Sequence, residues 1–381
     1  MCQFRNYRPL PLNDCGIEEI LFAMKPKAPH PISRRTALKS LAVSGAAGVV
    51  CSSVKAQSIR EDTKAKILGY VESLARPDGG YAWYGQQVSH LTPTMFVAGC
   101  YRLLDEQPLR KEKLIKFVWE NHPQQVWGLS ERRFIFDYHH IQALAWLGED
   151  LSALRTSVAS LKEPRVYNKR YELNGHPYFQ AEVKHFLSRK LLGLPPPAQP
   201  FVDYLDTRRR ANGSFNTTLA QEGGDGNILN TWWGLEALEI LGRAKENQAS
   251  TIQWLKACQL SSGGFTHQPD PELGGLDDVA YTWAGLKALQ LLGSSPEDSE
   301  ACIEYLNALA NDDGGFADRP GWLSNPMATF YALESLSILN GLKLSGIRKR
   351  MKTSKKKLPS GLNVYSMQIE SHGRGSPTET V

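Results

Sequence analysis

The chain has 381 residues, of which 41% are hydrophobic and 22% are charged, a composition typical of a globular protein with ample material for a core. The formal net charge is +5, but a basic run near the C-terminal end supplies seven positive charges and leaves about −2 for the rest. These seven residues are Arg348, Lys349, Arg350, Lys352, Lys355, Lys356 and Lys357. We therefore expect no nucleic-acid-binding face on the body of the protein.

Residues 1–56 have the pattern of a targeting segment. Paired arginines lie in Ser33–Lys39, a short and weakly apolar stretch follows from Ser40 to Val50, and small residues lead to Ala56. This pattern predicts a twin-arginine signal peptide cleaved after Ala56, and hence export to the periplasm or another extracytoplasmic compartment. A membrane-anchored or merely basic N-terminus is the alternative. Three of the six cysteines lie within residues 1–56. The other three, Cys100, Cys258 and Cys302, have no spacing typical of a zinc motif or a disulfide framework.

The first half of the body predicts three helical hairpins with variable turns. The turns are expected at 78–81, 126–129 and 174–176. The second helix of each hairpin is expected at Thr94–Leu104, Phe134–Gly148 and Phe179–Gly193, where apolar residues keep three- and four-residue steps. Prolines at 195–197 then end the third helix.

The second half repeats one pattern three times. Its turns are Gly213-Ser214-Phe215, Gly263-Gly264-Phe265 and Gly314-Gly315-Phe316, which start 50 and 51 residues apart. Each turn leads to a helix such as 282–293, whose apolar residues recur on one helical face. A period near 50 is typical of a repeat architecture. Six hairpins give an all-α protein of twelve helices, either a closed ring with inner and outer layers or an open solenoid. No terminal cap repeat is evident, which favours closure.

Residues 345–381 change to a basic run followed by Gly, Ser, Pro and Thr. This composition predicts a disordered, solvated tail. Contact of the basic run with anionic lipid or a wall polymer is the functional alternative. The body of the domain is thus expected to occupy residues 57–344.

The Gly-Gly-Phe turns, the inner helices of the Thr-Trp-x-x-Leu-x-Ala-Leu type and the 50-residue period resemble the prenyltransferase and squalene-cyclase repeat superfamily. The segments 278–283 and 314–321 are most similar to the β subunits of Rab geranylgeranyltransferase and protein farnesyltransferase. The resemblance is specific over residues 200–340 and architectural over 60–193. It implies an α/α toroid with an inner and an outer ring of helices.

The resemblance also implies a zinc site and a diphosphate site. In that family, Asp, Cys and His bind zinc, and the matching positions here hold Asp278, Ala280 and Ala328. A zinc site needs at least three N, S or O ligands, so no metal or cofactor is assigned and zinc-dependent prenyl transfer is expected to be lost. Tyr281 matches a diphosphate-binding Tyr, but residues 263–282 contain no Lys or Arg.

The terpene-cyclase branch of the superfamily implies a different chemistry. Its acid is the middle Asp of an Asp-x-Asp-Asp motif, and Gly275-Leu276-Asp277-Asp278 keeps the last two acids. Asp277 and Asp278 are therefore the candidate catalytic residues. Adjacent acids before an apolar helix also occur simply as N-terminal caps.

Other polar residues are expected near one rim of the ring, at the starts of the inner helices. They are His90, Asp137, His139, His140, Glu182, His185, Asn230 and Asn325. The groups 137–140 and 182–185 have spacings that place N and O atoms on one helical face, suited to a metal or to acid–base work, or simply to lining a polar cavity.

Aromatic residues on the turns and inner helices suit an apolar funnel that receives a polyisoprenoid, or else pack the hairpins together. Candidate substrate-binding residues are Tyr281, Trp232, Trp283, His90 and His139. The leading hypothesis is an exported toroid that binds an isoprenoid or other apolar chain. The alternatives are a divergent prenyltransferase-like or cyclase-like enzyme that uses Asp277 and Asp278, and a scaffold that presents its loops to a protein partner.

Overall fold

The computed structural model describes residues 61–121, 133–160, 178–196, 199–269 and 275–339. All of them belong to the unit Ala56–Val381, into which the chain divides after Lys55. The predicted signal segment, the basic tail and the turns expected at 126–129 and 174–176 lie outside the described residues. None of the described helices is long and apolar enough to cross a membrane.

Twelve α-helices make up the part of the chain that the structure describes, as predicted. They are α1 Glu61–Ser73, α2 Leu91–Leu103, α3 Lys111–Glu120, α4 Arg133–Leu147, α5 Ser152–Ser160, α6 Tyr178–Leu191, α7 Gln199–Arg208, α8 Ile228–Ile240, α9 Gln248–Ala257, α10 Val279–Leu291, α11 Ser299–Ala308 and α12 Pro326–Leu339, with one 3₁₀ turn at Ala220–Glu222. The three helices predicted in the degraded first half begin within three residues of their expected starts. β-Structure in the described ranges is confined to isolated bridges that flank the turns.

The even-numbered helices form a closed inner ring. Each of α2, α4, α6, α8 and α10 contacts the next even-numbered helix, and α12 contacts α2. The outer helices α3, α5, α9 and α11 pack on α4, α6, α10 and α12. The α/α toroid expected from the resemblance is therefore confirmed, and the choice of closure over an open solenoid was right.

The glycine turns bind each hairpin to the next one. At Gly263, where φ is +91°, a Cβ would collide with the backbone of Ala301 on α11, the following outer helix. Gly314 meets Lys66 on α1 in the same way, so the last hairpin docks on the first. A side chain at these positions would face both an unfavourable left-handed φ and a backbone clash.

One hydrogen-bond arrangement holds each turn to its inner helix. The backbone N–H of Phe265 donates to the Thr282 hydroxyl at 3.0 Å, and that hydroxyl donates to the Asp278 carbonyl at 2.9 Å. The same pair of bonds occurs for Thr94, Thr231 and Thr329. These bonds satisfy the N–H of the buried aromatic residue that follows the glycines. Because they tie each turn to the start of its inner helix in the same way, the four inner helices start at matching points of their repeats and form one rim.

Candidate functional site

Asp278 lies on this rim as the N-cap of α10. Its Oδ1 accepts the Ala280 N–H at 2.9 Å, and its Oδ2 accepts from Arg319 Nε at 3.3 Å. The side chain is buried, and Asp318, whose carbonyl accepts the Val279 N–H, lies close by. The helix cap that the sequence offered as the alternative to catalysis is therefore present.

Burial raises the pKa of Asp278 to about 7, and the neighbouring Asp318 adds to this rise, whereas the Ala280 N–H and Arg319 oppose it. The pKa of Asp318 is also raised by burial, against the hydrogen bond from Asn325 at 2.7 Å and the charge of Arg319. Two buried acids thus share one guanidinium. Asp278 is placed to exchange a proton near neutral pH.

Asp277 takes part in the turn itself. Its Oδ2 accepts a hydrogen bond from Ser262. In the first repeat Ser89 donates to Asp78 at 2.7 Å, and in the last repeat Ser324 donates to Asp313 at 2.8 Å. The fifth repeat therefore makes the same hydrogen bond with acid and hydroxyl exchanged. This structural role stands beside the predicted catalytic one.

The two histidines predicted to bind substrate have different surroundings. His90 is exposed at the start of α2, and its side chain makes no capping hydrogen bond. His139 is buried on α4, with Nδ1 3.1 Å from the Thr92 hydroxyl and its ring 6.2 Å from Phe96. Burial, with Lys184 nearby, lowers the pKa of His139 to about 3, so it is neutral at neutral pH.

The polar pairs on α4 and α6 lie inside the wall of the ring. Asp137, His140, Glu182 and His185 are buried, and the His140 ring meets Trp119 of the outer helix α3 edge-on at 5.8 Å. Within the described ranges, no three His, Cys, Asp or Glu residues are grouped so as to hold a metal. These residues lie on α4 and α6, whereas the rim acid Asp278 caps α10.

Aromatic side chains from neighbouring inner helices make one continuous surface. Trp232 meets Trp283 edge-on at 6.0 Å, Trp283 stacks on Tyr331 at 4.4 Å, and Tyr331 meets Phe96 edge-on at 5.4 Å. We call Phe96, Trp232, Trp283 and Tyr331 the aromatic surface. Tyr281, the other predicted aromatic, lies closer to the rim and contacts His267 at 5.9 Å.

Further from the rim than the aromatic surface, the inner helices carry charged residues that the sequence analysis did not predict. We call Arg102, Lys184, Glu236, Lys287 and Glu334 the charge belt. Lys287 and Glu334 pair at 3.0 Å, and Lys184 lies 3.8 Å from Glu236. At 1.5 Å per residue, the belt lies roughly 13 Å along α10 from its cap.

The two ion pairs of the belt differ in strength. Burial lowers the pKa of Lys184 and raises that of Glu236, so burial outweighs their mutual attraction at 3.8 Å. Burial also acts to raise the pKa of Glu334. The ion pair with Lys287, the hydrogen bond from the Trp283 indole at 2.7 Å and the charge of Arg102 overcome it and hold that pKa below its usual value.

A signal for part of the belt was present in the sequence. Glu236, Lys287 and Glu334 each follow the Leu of the inner-helix motif and lie five residues after the Thr that binds the turn. The three therefore occupy one repeat position. A charged residue at the same repeat position in three successive apolar helices indicates a layer of charged side chains at one height in the ring.

The geometry defines an α/α toroid with a capped acidic rim, an aromatic surface and a charge belt. The model of the prenyltransferase alpha-alpha toroid domain matches residues 47–127 and 217–300. This match covers somewhat less than half of the chain and confirms the resemblance recognised in its turns and inner helices.

The relatives found are β subunits of a geranylgeranyl transferase. The geranylgeranyl transferase type-2 subunit beta of Candida albicans is 26% identical over 186 residues, which are 43% of this chain and 52% of that protein. The Saccharomyces cerevisiae subunit of the same name is 29% identical over 108 residues, 28% of this chain and 31% of that protein. The matches thus span about half or less of these relatives.

A solved structure shares the fold. The Candida albicans protein geranylgeranyltransferase-I, solved in complex with GGPP, superimposes with a TM-score of 0.52 at 15% identity. The superposition covers 74% of this chain and 92% of that one. At this identity the likeness concerns the fold.

Proposed function

We propose that the toroid binds an isoprenoid or other apolar chain inside its ring and does not carry out zinc-dependent prenyl transfer. The observation that carries this proposal is the aromatic surface, in which four side chains from neighbouring inner helices make one apolar wall. Such walls with a few placed polar groups are typical of small-molecule sites. The names of the relatives, which are geranylgeranyl transferase subunits, support a chain of isoprenoid type.

The residues at the family's zinc position do not fit the metal. Asp278 is the one position with a ligand atom, since Ala280 and Ala328 offer only methyl groups. Both Asp278 oxygens already accept hydrogen bonds, from the Ala280 N–H and from Arg319. Three donors are the minimum for a zinc site. No step of the proposed function is therefore assigned to zinc.

Binding of a C20 isoprenoid to the purified full chain tests the proposal. Quenching of tryptophan fluorescence should show saturable binding, and Trp283→Leu should weaken it by about tenfold because it removes the ring at the centre of the aromatic surface. Trp254→Leu is the matched control, since Trp254 is equally buried but lies on the outer helix α9. Absence of saturable binding by the unmodified chain would refute the proposal.

The zinc part has its own test. Elemental analysis after dialysis against zinc should find less than stoichiometric metal, and transfer of a geranylgeranyl group to a thiol peptide should not depend on added zinc. Stoichiometric zinc together with zinc-dependent transfer would overturn this part and leave the binding proposal standing.

A second candidate function is acid–base catalysis by Asp278. The favouring observation is its pKa of about 7, raised first by burial, beside Asp318. The test is turnover of an isoprenoid substrate by the unmodified chain and by Asp278→Asn. Loss of turnover with an intact fold supports an enzyme, whereas equal turnover removes Asp278 as the acid.

Export by the twin-arginine route is part of the proposal and rests on the sequence pattern at Ser33–Lys39. N-terminal sequencing of the protein from an export compartment should begin at Gln57. Replacing Arg34 and Arg35 with Lys should leave the precursor unexported. Export of that variant at the normal rate would contradict the route.

A further inference from the structure

Three polar atoms of the charge belt and the aromatic surface have no hydrogen-bond partner among the described residues. They are the indole Nε1 of Trp232, the Nε of Arg102 and the Oε2 of Glu236. Trp232 is only 5% exposed. Leaving such buried groups unsatisfied is costly, and each one in a native structure calls for an explanation.

Trp232 and Glu236 supply a donor and an acceptor on one helical face. They are four residues apart on α8, so their side chains are neighbours. The Trp232 ring packs against Trp283, and Lys287 Nζ lies 5.5 Å from its centroid, so this ring of the aromatic surface borders the charge belt. The 3.8 Å separation of Lys184 and Glu236 is too long for a charge-assisted hydrogen bond.

We propose that this point binds the hydroxyl group of an apolar alcohol, with the hydroxyl oxygen accepting from Trp232 Nε1 and the hydroxyl hydrogen donated to Glu236 Oε2. The inference rests on the proposed function, because the aromatic surface has to hold the apolar part of the ligand. It narrows the ligand class from any apolar chain to an isoprenoid alcohol whose polar end is buried.

Other polar groups fit less well. A carbonyl oxygen accepts from Trp232 but has no hydrogen for Glu236. A carboxylate or phosphate would bring negative charge against Glu236 and Glu334, and an ammonium would bring positive charge against Lys184 and Lys287. A group that both donates and accepts satisfies these two atoms together and adds no negative charge beside Glu236.

The test compares geranylgeraniol with the C20 hydrocarbon in which a methyl group replaces the CH₂OH group. Both are titrated at equal free concentration into the full chain, into Trp232→Phe and into the control Trp254→Phe, whose indole donates to Asp225 on the outer side. We expect the unmodified chain and the control to bind the alcohol about three- to tenfold more tightly than the hydrocarbon. In Trp232→Phe the ratio should fall to near one.

Each other outcome overturns the proposal in a recognisable way. Equal binding of alcohol and hydrocarbon by the unmodified chain means that water satisfies the two atoms, and it leaves the proposed function standing. A preference that survives in Trp232→Phe places the hydroxyl elsewhere. Binding of neither probe removes the proposed function together with this inference.

Discussion

The rim and the charge belt both carry polar residues inside the ring, but they are built on different principles. At the rim one arrangement recurs: a turn N–H, a Thr hydroxyl and a cap carbonyl, with a Ser–Asp pair beside it. In the belt no arrangement recurs: Lys287 and Glu334 pair at 3.0 Å, Lys184 and Glu236 lie 3.8 Å apart, and some atoms have no hydrogen-bond partner among the described residues. The difference teaches that the rim polarity is largely explained by local structure, whereas the belt polarity is not.

The largest effect is expected in the belt. Glu334→Ala should lower the free energy of unfolding by about 3 to 5 kcal/mol, because it leaves Lys287 and Arg102 without their anion in a buried place. Urea unfolding measures it. Glu246→Ala, which removes an exposed partner of Arg243, should cost less than about 1 kcal/mol. Similar losses in both variants would show that the belt is as well solvated as the surface.

The next effect concerns the pH dependence of the rim. The pKa of Asp278 is about 7 in the folded chain, above its ordinary value of 3.8. Between pH 3.8 and pH 7, the folded chain therefore keeps a proton on Asp278 that the unfolded chain has released. Stability conferred at low pH should therefore fall as the pH rises through 7. Asp278→Asn keeps the cap oxygen and should remove about 3 kcal/mol of this dependence.

Urea unfolding of both proteins at pH 5 and pH 8 measures this difference. The unmodified chain should lose more stability than Asp278→Asn on going to pH 8. Parallel losses in the two proteins would assign the dependence to another group.

The recurring turn bond gives a smaller effect. Thr282→Val should cost about 2 kcal/mol, because the buried Phe265 N–H loses its acceptor while the side-chain shape is kept. Thr282→Ser retains the hydroxyl and should cost clearly less. Thermal unfolding of the two variants compares them, and equal losses would mean that packing of the Thr methyl, not the hydrogen bond, stabilises the turn.

The smallest effect comes from exchanging Ser262 and Asp277. The double variant Ser262→Asp/Asp277→Ser reproduces the arrangement of the first and last repeats and should change stability by less than about 1 kcal/mol, whereas each single change breaks the pair. Turnover measured on the stable double variant separates the two roles of Asp277. Retained turnover would leave Asp277 only its structural role.

The fold could be predicted from the sequence because each repeat is determined by residues that are close together in the chain. Gly263 needs a positive φ, Phe265 fills the gap after it, and the Thr282 helix follows at a fixed distance, so the hairpins were predictable one by one. Closure required only that the last hairpin dock on the first, as Gly314 does on α1. The cap role of Asp278 was likewise a local inference.

The belt was not predicted because its meaning depends on neighbours about 50 residues apart in the sequence. Lys287 and Glu334 pair only because α10 and α12 adjoin, and Lys184 meets Glu236 only because α6 adjoins α8. Burial then alters their pKa values, which no single helix reveals. The sequence predicts that Trp232 and Trp283 line one cavity, but it does not predict the charge belt next to them.

Ring closure also makes the order of the repeats along the chain arbitrary. Helix α1 leads towards the rim and α12 leads away from it, so residues 61 and 339 lie at the same end of the ring in adjoining hairpins. A linker between these positions, with a new opening in an exposed loop between two other hairpins, would give a circularly permuted chain with every contact of the ring retained. In this toroid the order of the hairpins determines which hairpins are neighbours in the ring. The ring itself does not determine at which hairpin the polypeptide starts.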